Sequence, residues 1–131
     1  MKYMLLMSGS RTMYKEYFTW PVEDLKAQVA FMHRFNDELQ ASGELVSTHG
    51  LTGPDEARIV RARAGGAPEV TDGPFAEAKE FLAGFWIVDC ESKERAYEIA
   101  ARASAAPGRG GAPANMPIEV REVLGKAPIE I

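Results

Sequence analysis

Cysteine is nearly absent from this chain. Cys90 stands alone among 131 residues, which excludes an intrachain disulfide and any cysteine-built metal cluster and fits a reducing cytoplasm. Histidine is scarce too: His33 and His49 are the whole complement, with no third ligand at metal spacing. Long apolar runs are missing. The longest, Phe81–Val88, falls far short of the roughly 20 residues of a membrane helix. The apolar part of the opening Met1–Met7 is likewise too short for the roughly 7–15-residue core of a signal peptide. Positive charge is in deficit, with 15 Lys and Arg against 19 Asp and Glu and a net charge of −4. A general nucleic-acid binder carries the opposite balance. Arg58, Arg61 and Arg63 form a local basic cluster, which reads as a solvated face. Neither nucleic acid nor membrane is therefore an expected partner, and no pattern calls for a cofactor.

What remains is ordinary globular material: 46% hydrophobic and 26% charged residues, in a length suited to one domain spanning residues 1–131. Tyr3–Met7 is apolar on both alternating faces and reads as a buried strand. Ser8–Thr19 shows no clean period and reads as a loop. Pro21, Glu23 and Asp24 suit a helix start, Val22, Leu25, Val29, Met32 and Leu39 recur at helical spacing, and Gly43 supplies a left-handed stop. Leu45–Leu51 reads as a second strand. Arg58–Arg63 and Ala67–Val70 flank Gly65-Gly66 as a hairpin, and Phe81–Val88 reads as a central strand. Ser92 caps a second helix with Ala96, Ile99, Ala100 and Ala103 on its buried face; Pro107–Pro117 is a loop with the character of a mobile lid; Ile118–Leu124 is a last strand.

That order gives an α+β, ferredoxin-like split βαβ plan with an inserted β-hairpin and helices on one sheet face. Two helices cover one face, yet Tyr3–Met7 and Phe81–Val88 are apolar on both. The uncovered face needs a partner, most simply a second copy, so the plan predicts a homodimer.

Few residues carry chemistry. On a helical wheel Asn36 lies about 20° from Leu25, inside the apolar stripe, and His33 about 80° away at its edge. A buried amide needs partners, either backbone or a ligand. His33 is a packing residue or a general base. Asp72-Gly73-Pro74-Phe75 is turn chemistry: the Asp72 carboxylate can accept a backbone N–H two residues on, and Phe75 would turn back into the core. The competing reading makes Asp72 a carboxylate base. Cys90, followed by acidic Glu91, is not expected to be a nucleophile. Arg109 lies in a glycine-rich loop without the strand–loop–helix context of a phosphate site. The candidate set is thus His33 and Asp72 for acid–base work and Asn36, Phe75 and Arg109 for ligand contact.

The string Val70–Glu80, with Asp72-Gly73-Pro74-Phe75 at its centre, resembles the signature of the DGPF-domain proteins of the YCII-related family. Met1–Met7 resembles that family's opening strand, and Phe35-Asn36-Asp37-Glu38-Leu39 with Gly43 its first-helix ending. Ala83-Gly84-Phe85-Trp86 and Ile118-Glu119-Val120-Arg121 resemble two further strands. The resemblance implies a dimeric α/β barrel of ferredoxin-like fold. Most such proteins have no assigned activity. A few relatives are enzymes, one a dehydrochlorinase acting on a chlorinated hydroxyhydroquinone, and a His/Asp pair has been proposed as catalytic. Some are linked with extracytoplasmic-function sigma factors. This chain departs from the His/Asp pattern: Ser104-Ala105-Ala106-Pro107 holds no aspartate, while His33 lies near the family's helix histidine.

Two functions stand at this point. One is a homodimer binding, or transforming, a small aromatic or carboxylated molecule in a cleft bordered by the first helix and the Asp72 corner. The other is a non-enzymatic regulatory or interaction module serving a sigma factor. A closed pocket with convergent polar groups favours the first, an exposed apolar patch the second.

Overall fold

The computed structural model describes residues 1–75 and 78–125. Six strands and three helices follow in the order β1 (Lys2–Gly9), α1 (Arg11–Tyr17), α2 (Val22–Ala41), β2 (Leu45–Gly50), β3 (Arg58–Arg61), β4 (Glu69–Asp72), β5 (Phe81–Asp89), α3 (Lys93–Ser104) and β6 (Ile118–Glu122). Four of the strands form one sheet in the order β2-β5-β1-β6, every neighbouring pair antiparallel. Two interlocked βαβ units produce this order: β1 and β2 with β5 inserted between them, β5 and β6 with β1 between. The architecture is α+β and compatible with the ferredoxin-like plan.

The segment 8–19, expected as a loop, instead completes β1 and forms α1. Ser10 caps that helix, its Oγ accepting the Met13 N–H at 3.1 Å. With seven residues and no buried side chain, α1 is too short to show a period. It is held by aromatic edges instead, Tyr14 against Phe81 at 5.8 Å and against Phe18 at 5.0 Å.

The long helix α2 runs for 20 residues and stops at Gly43, whose φ is +79°. Its buried stripe is rotated from the expected one. Phe35 and Leu39 are the residues sealed in the core, with Phe31 and Met32 packed beside them, while Val22 and Val29 are exposed. The aromatic volume of Phe31 and Phe35 sets which side faces the sheet. Asn36 therefore sits at the stripe's edge, half-buried. The core joins Phe35 and Leu39 to Tyr3, Leu5, Trp86 and Val88 of the sheet and to Ala96, Ile99, Ala100 and Ala103 of α3. Arg95 pins the start of α3 to the α2–β2 turn through a two-pronged pair with Glu44, Nε and Nη2 each 2.9 Å from a carboxylate oxygen.

The opposite sheet face is open. Met4 and Leu6 pair with Ile87 and Phe85, a central apolar block of half-buried side chains that no helix among the described residues covers. Ser47 and His49 flank it on β2, Arg121 and Glu119 on β6.

Strands β3 and β4 form a separate two-stranded ladder with Val60 opposite Val70. Arg61 and Glu69 bound the connecting residues 62–68, a longer link than the two glycines of the sequence reading. The corner after β4 is closed by the Gly73 N–H on the Ala57 carbonyl at 2.9 Å, not by Asp72. The residue two positions on is Pro74, which has no N–H to donate. Phe75, expected in the core, is 64% exposed.

Residues 107–117, expected as a mobile lid, are strapped down. Gly108 N–H donates to Ala112 O at 2.8 Å and Ala114 N–H to Ala106 O at 2.9 Å, and Gly110 N–H donates to Asp24 Oδ2 at 2.9 Å. Among the described residues no helix is long and apolar enough to cross a membrane.

Candidate functional site

Between α2 and the β2–β5 end of the sheet lies a cleft of about 300 Å³, at the small end of the range for ligand pockets. Its floor exists because two paired strand positions, Gly50 and Gly84, have no side chains. They play different roles. A Cβ on Gly84 would sit 3.0 Å from the His49 carbonyl oxygen, so glycine there allows the two backbones to approach. A Cβ on Gly50 would meet nothing within 4 Å, so glycine there leaves space open.

The helix wall is built from Val29, Met32, His33 and Asn36, the side of α2 next to the buried stripe, with Met32 also packed on the core. Tyr17, at the end of α1, closes one side, and Met7 and Trp86 form the apolar backing. Asn36 is fixed by a buried neighbour. Trp86 is 4% exposed, its indole N–H needs an acceptor, and Asn36 Oδ1 supplies one at 2.8 Å. Because the carbonyl end is committed to Trp86, the Asn36 amide NH₂ is the free end of a cleft-lining side chain, and among the described residues it donates to no group. Phe35 packs edge-on against Trp86 at 5.7 Å, which holds the indole at its angle. His33 is exposed on the same wall.

His49 is a further cleft neighbour, while the sequence candidates Asp72, Phe75 and Arg109 lie elsewhere. His49 borders the cleft but pairs with Phe85, on the face opposite Trp86; its ring lies 5.8 Å from that of Phe85, among the open-face residues. Asp72 ends β4, its side chain 96% exposed and 3.8 Å from Arg58 Nε. Neither Asp72 nor Phe75 lines the cleft within one chain. Arg109 is also remote, its Nη2 donating at 3.0 Å to the carbonyl of Thr19 in the link between α1 and α2. The structure thus brings His33 and Asn36 together and leaves Asp72, Phe75 and Arg109 apart from them.

Cys90 is 6% exposed and its Sγ donates to Ser92 O at 3.4 Å. Burial is the main cause that pushes its thiol up from the ordinary value, which disfavours the thiolate. Among the described residues no three His, Cys, Asp or Glu side chains group as a metal site. A second groove of about 230 Å³ runs between α2 and α3. Its Arg102 lies over the Phe35 ring at 5.1 Å and is paired with Glu38, so this cation is already spent on the fold.

Sequence reasoning missed Tyr17, Trp86 and the glycine floor. Tyr17 lay in a segment with no period. Trp86 was legible as a core residue, but only a buried indole beside an amide at the stripe's edge would have signalled the pair. Nothing local distinguishes Gly50, which opens space, from Gly84, which permits close approach.

A family model described as YCII-related domain matches residues 1–124. An uncharacterized protein of Rhizobium meliloti (strain 1021) is 43% identical over 47 residues, 36% of this chain and 38% of that protein. The similarity to this relative therefore spans well under half of either length.

Proposed function

This chain belongs to the YCII-related family, and from that premise we propose that it works as a homodimer binding a small aromatic or carboxylated molecule in the cleft between α2 and the sheet. The observation that carries the reading is the Asn36 amide. One end is locked on Trp86 at 2.8 Å, and the other keeps two N–H donors free on a side chain that lines the same cleft as Gly50 and Gly84. Such a site accepts a flat ring against the floor and directs an acceptor oxygen, phenolic, carbonyl or carboxylate, toward Asn36. His33 lines the same wall, and in this reading its imidazole is the group that exchanges a proton with that oxygen.

The dimer is supported by the open face. Met4, Leu6, Phe85 and Ile87 form an apolar centre with a polar rim of Ser47, His49, Glu119 and Arg121, the anatomy of a buried interface. Two such sheets packed face to face make the dimeric α/β barrel. The acidic Glu119 and basic Arg121 of each copy suit pairing across a two-fold axis.

Native mass spectrometry tests both halves. A mass twice 14.4 kDa and retention of added phenol or benzoate are expected. The Gly50→Leu variant, whose side chain enters open space, should keep the dimer and lose the ligand. Equal retention by both proteins would overturn the cleft assignment, and a monomer at micromolar concentration would overturn the dimer. A dimer that binds neither probe would favour the interaction module.

A further inference from the structure

We propose that the β3–β4 ribbon is an intersubunit arm, lying in the homodimer against the second copy beside the sheet-on-sheet contact. The inference rests on the dimer reading above and adds to it a second contact surface.

A two-stranded ribbon is marginally stable in water unless one face packs on something. Here Val60 and Val70 stand directly opposite each other, 60% and 57% exposed. Phe75, just beyond the ribbon's foot, is 64% exposed. Among the described residues these apolar side chains find no cover within their own chain. The foot, by contrast, is firmly built. Arg58 donates to the carbonyls of Asp55 and Ala57 at 3.0 and 2.8 Å, and Asp55 pairs with Arg11 at 2.7 Å. Pro54 is buried, and a Cβ at Gly53 would run into the Tyr14 ring. A fixed base under an uncovered ribbon aims the ribbon and leaves its apolar face for another molecule.

The second copy is the occupant that area and charge select. Four strands about 4.8 Å apart, with five or so paired residues at about 3.3 Å each, give an open face of roughly 300–350 Å². A standard interface needs about 800 Å² per partner, so the sheet contact alone falls short. The arm, with four paired residues per strand, is about 10 Å wide and 13 Å long by the same spacings and offers roughly 130 Å². In a two-fold dimer it counts twice, as arm and as the surface beneath the partner's arm, which raises the total over both partners from roughly 600–700 Å² to roughly 1,100–1,200 Å², past the about 1,000 Å² that a biological interface needs. The arm also carries Arg58, Arg61 and Arg63 against Glu69 and Asp72 on a chain of net charge −4. A basic arm meets an acidic second copy, which favours encounter.

Sedimentation equilibrium of the full chain tests the arm, comparing wild type with Val60→Asp/Val70→Asp. The expected result is a dimer for wild type and at least a tenfold rise in dissociation constant for the variant, with an unchanged thermal melt of the monomer. A dimer of unchanged affinity in the variant would overturn the arm and leave the sheet-face dimer standing. A monomeric wild type would overturn both. If the variant does not fold, hydrogen exchange on wild type decides: amides of residues 58–72 should gain protection as concentration crosses the dissociation constant. Exchange there independent of concentration would refute the arm.

Discussion

Replacing Asn36 by Leu should destabilise the fold, although leucine is the better residue for an apolar stripe. Trp86 is 4% exposed and its indole N–H has Asn36 Oδ1 as its partner at 2.8 Å. Removing the acceptor leaves a buried donor unpaired, at about 1–3 kcal/mol. Leucine recovers little in return, because Asn36 is only half-buried and its outer side faces the open cleft. At roughly 25 cal/mol per Å², burying an extra 30 Å² or so would offset less than about 1 kcal/mol. The net expectation is a loss of about 1–2 kcal/mol, a fall of a few degrees in Tm for a domain of this size. Urea denaturation of a double-mutant cycle, Asn36→Leu with Trp86→Phe, isolates the bond from the packing changes. Phenylalanine has no N–H, so Asn36→Leu should cost less in that background, with a coupling of about 1 kcal/mol. A coupling near zero, or a single variant more stable than wild type, would refute the claim that this bond orients the amide.

Two further perturbations discriminate between structural roles. Asp72→Ala should change stability by less than about 0.5 kcal/mol, because its side chain is 96% exposed and its Arg58 partner stands 3.8 Å away. Gly73→Ala should cost more, since its Cβ would lie 3.3 Å from the Ala57 backbone it hydrogen-bonds; chemical denaturation of both variants gives the order, and the reverse order would return the corner to Asp72. The Arg95 side-chain hydrogen bond holds the Glu44 carboxyl below the usual carboxylate range, against a smaller opposing effect of burial. A depressed carboxylate contributes stability that is present above the unfolded value near 4.3 and lost as pH falls through the folded one. Glu44→Gln should therefore cost about 1–2 kcal/mol at pH 7, between surface and buried pairs, and less at pH 3. An equal deficit at both pH values would refute an ionic contribution.

Long-period signals were readable from the chain, and contextual ones were not. The 20-residue α2, its stop at Gly43 and the strands of the sheet follow from apolar spacing and turn chemistry, which act locally. The facing of α2 did not follow, because Val22, Val29, Phe31 and Phe35 are all apolar and only the volume of the space above Trp86 selects the aromatic pair. The same competition moved Asn36 from mid-stripe to edge, which placed its amide at the cleft. His33 and Asn36 were legible as neighbours because less than one helical turn separates them. Asp72 could not be assigned to or excluded from that neighbourhood, since its position depends on where a ribbon points. Local pattern specifies that two strands pair, and the foot of the ribbon fixes their direction.

The direction of the ribbon bears on how selection of a ligand would work. Within one chain the cleft has an α2 wall, a glycine floor and Tyr17 at one side, which leaves much of its mouth open to water. An open mouth weakens each hydrogen bond made inside, because solvent competes for Asn36 and His33. Both the foot of the arm and the cleft sit at the same end of the fold: Tyr14 contacts Gly53, Tyr17 lines the cleft, and one short helix carries both. Any movement of the arm that reached α1 would reposition a cleft wall. Dimer formation and ligand binding would then be coupled through seven residues of α1, and linkage requires the coupling to be reciprocal. A probe that binds the cleft should tighten the dimer by the same factor that dimer formation tightens the probe. If phenol or benzoate binds wild type yet leaves its sedimentation unchanged at concentrations near the dissociation constant, α1 carries no such coupling and the cleft and the arm act independently.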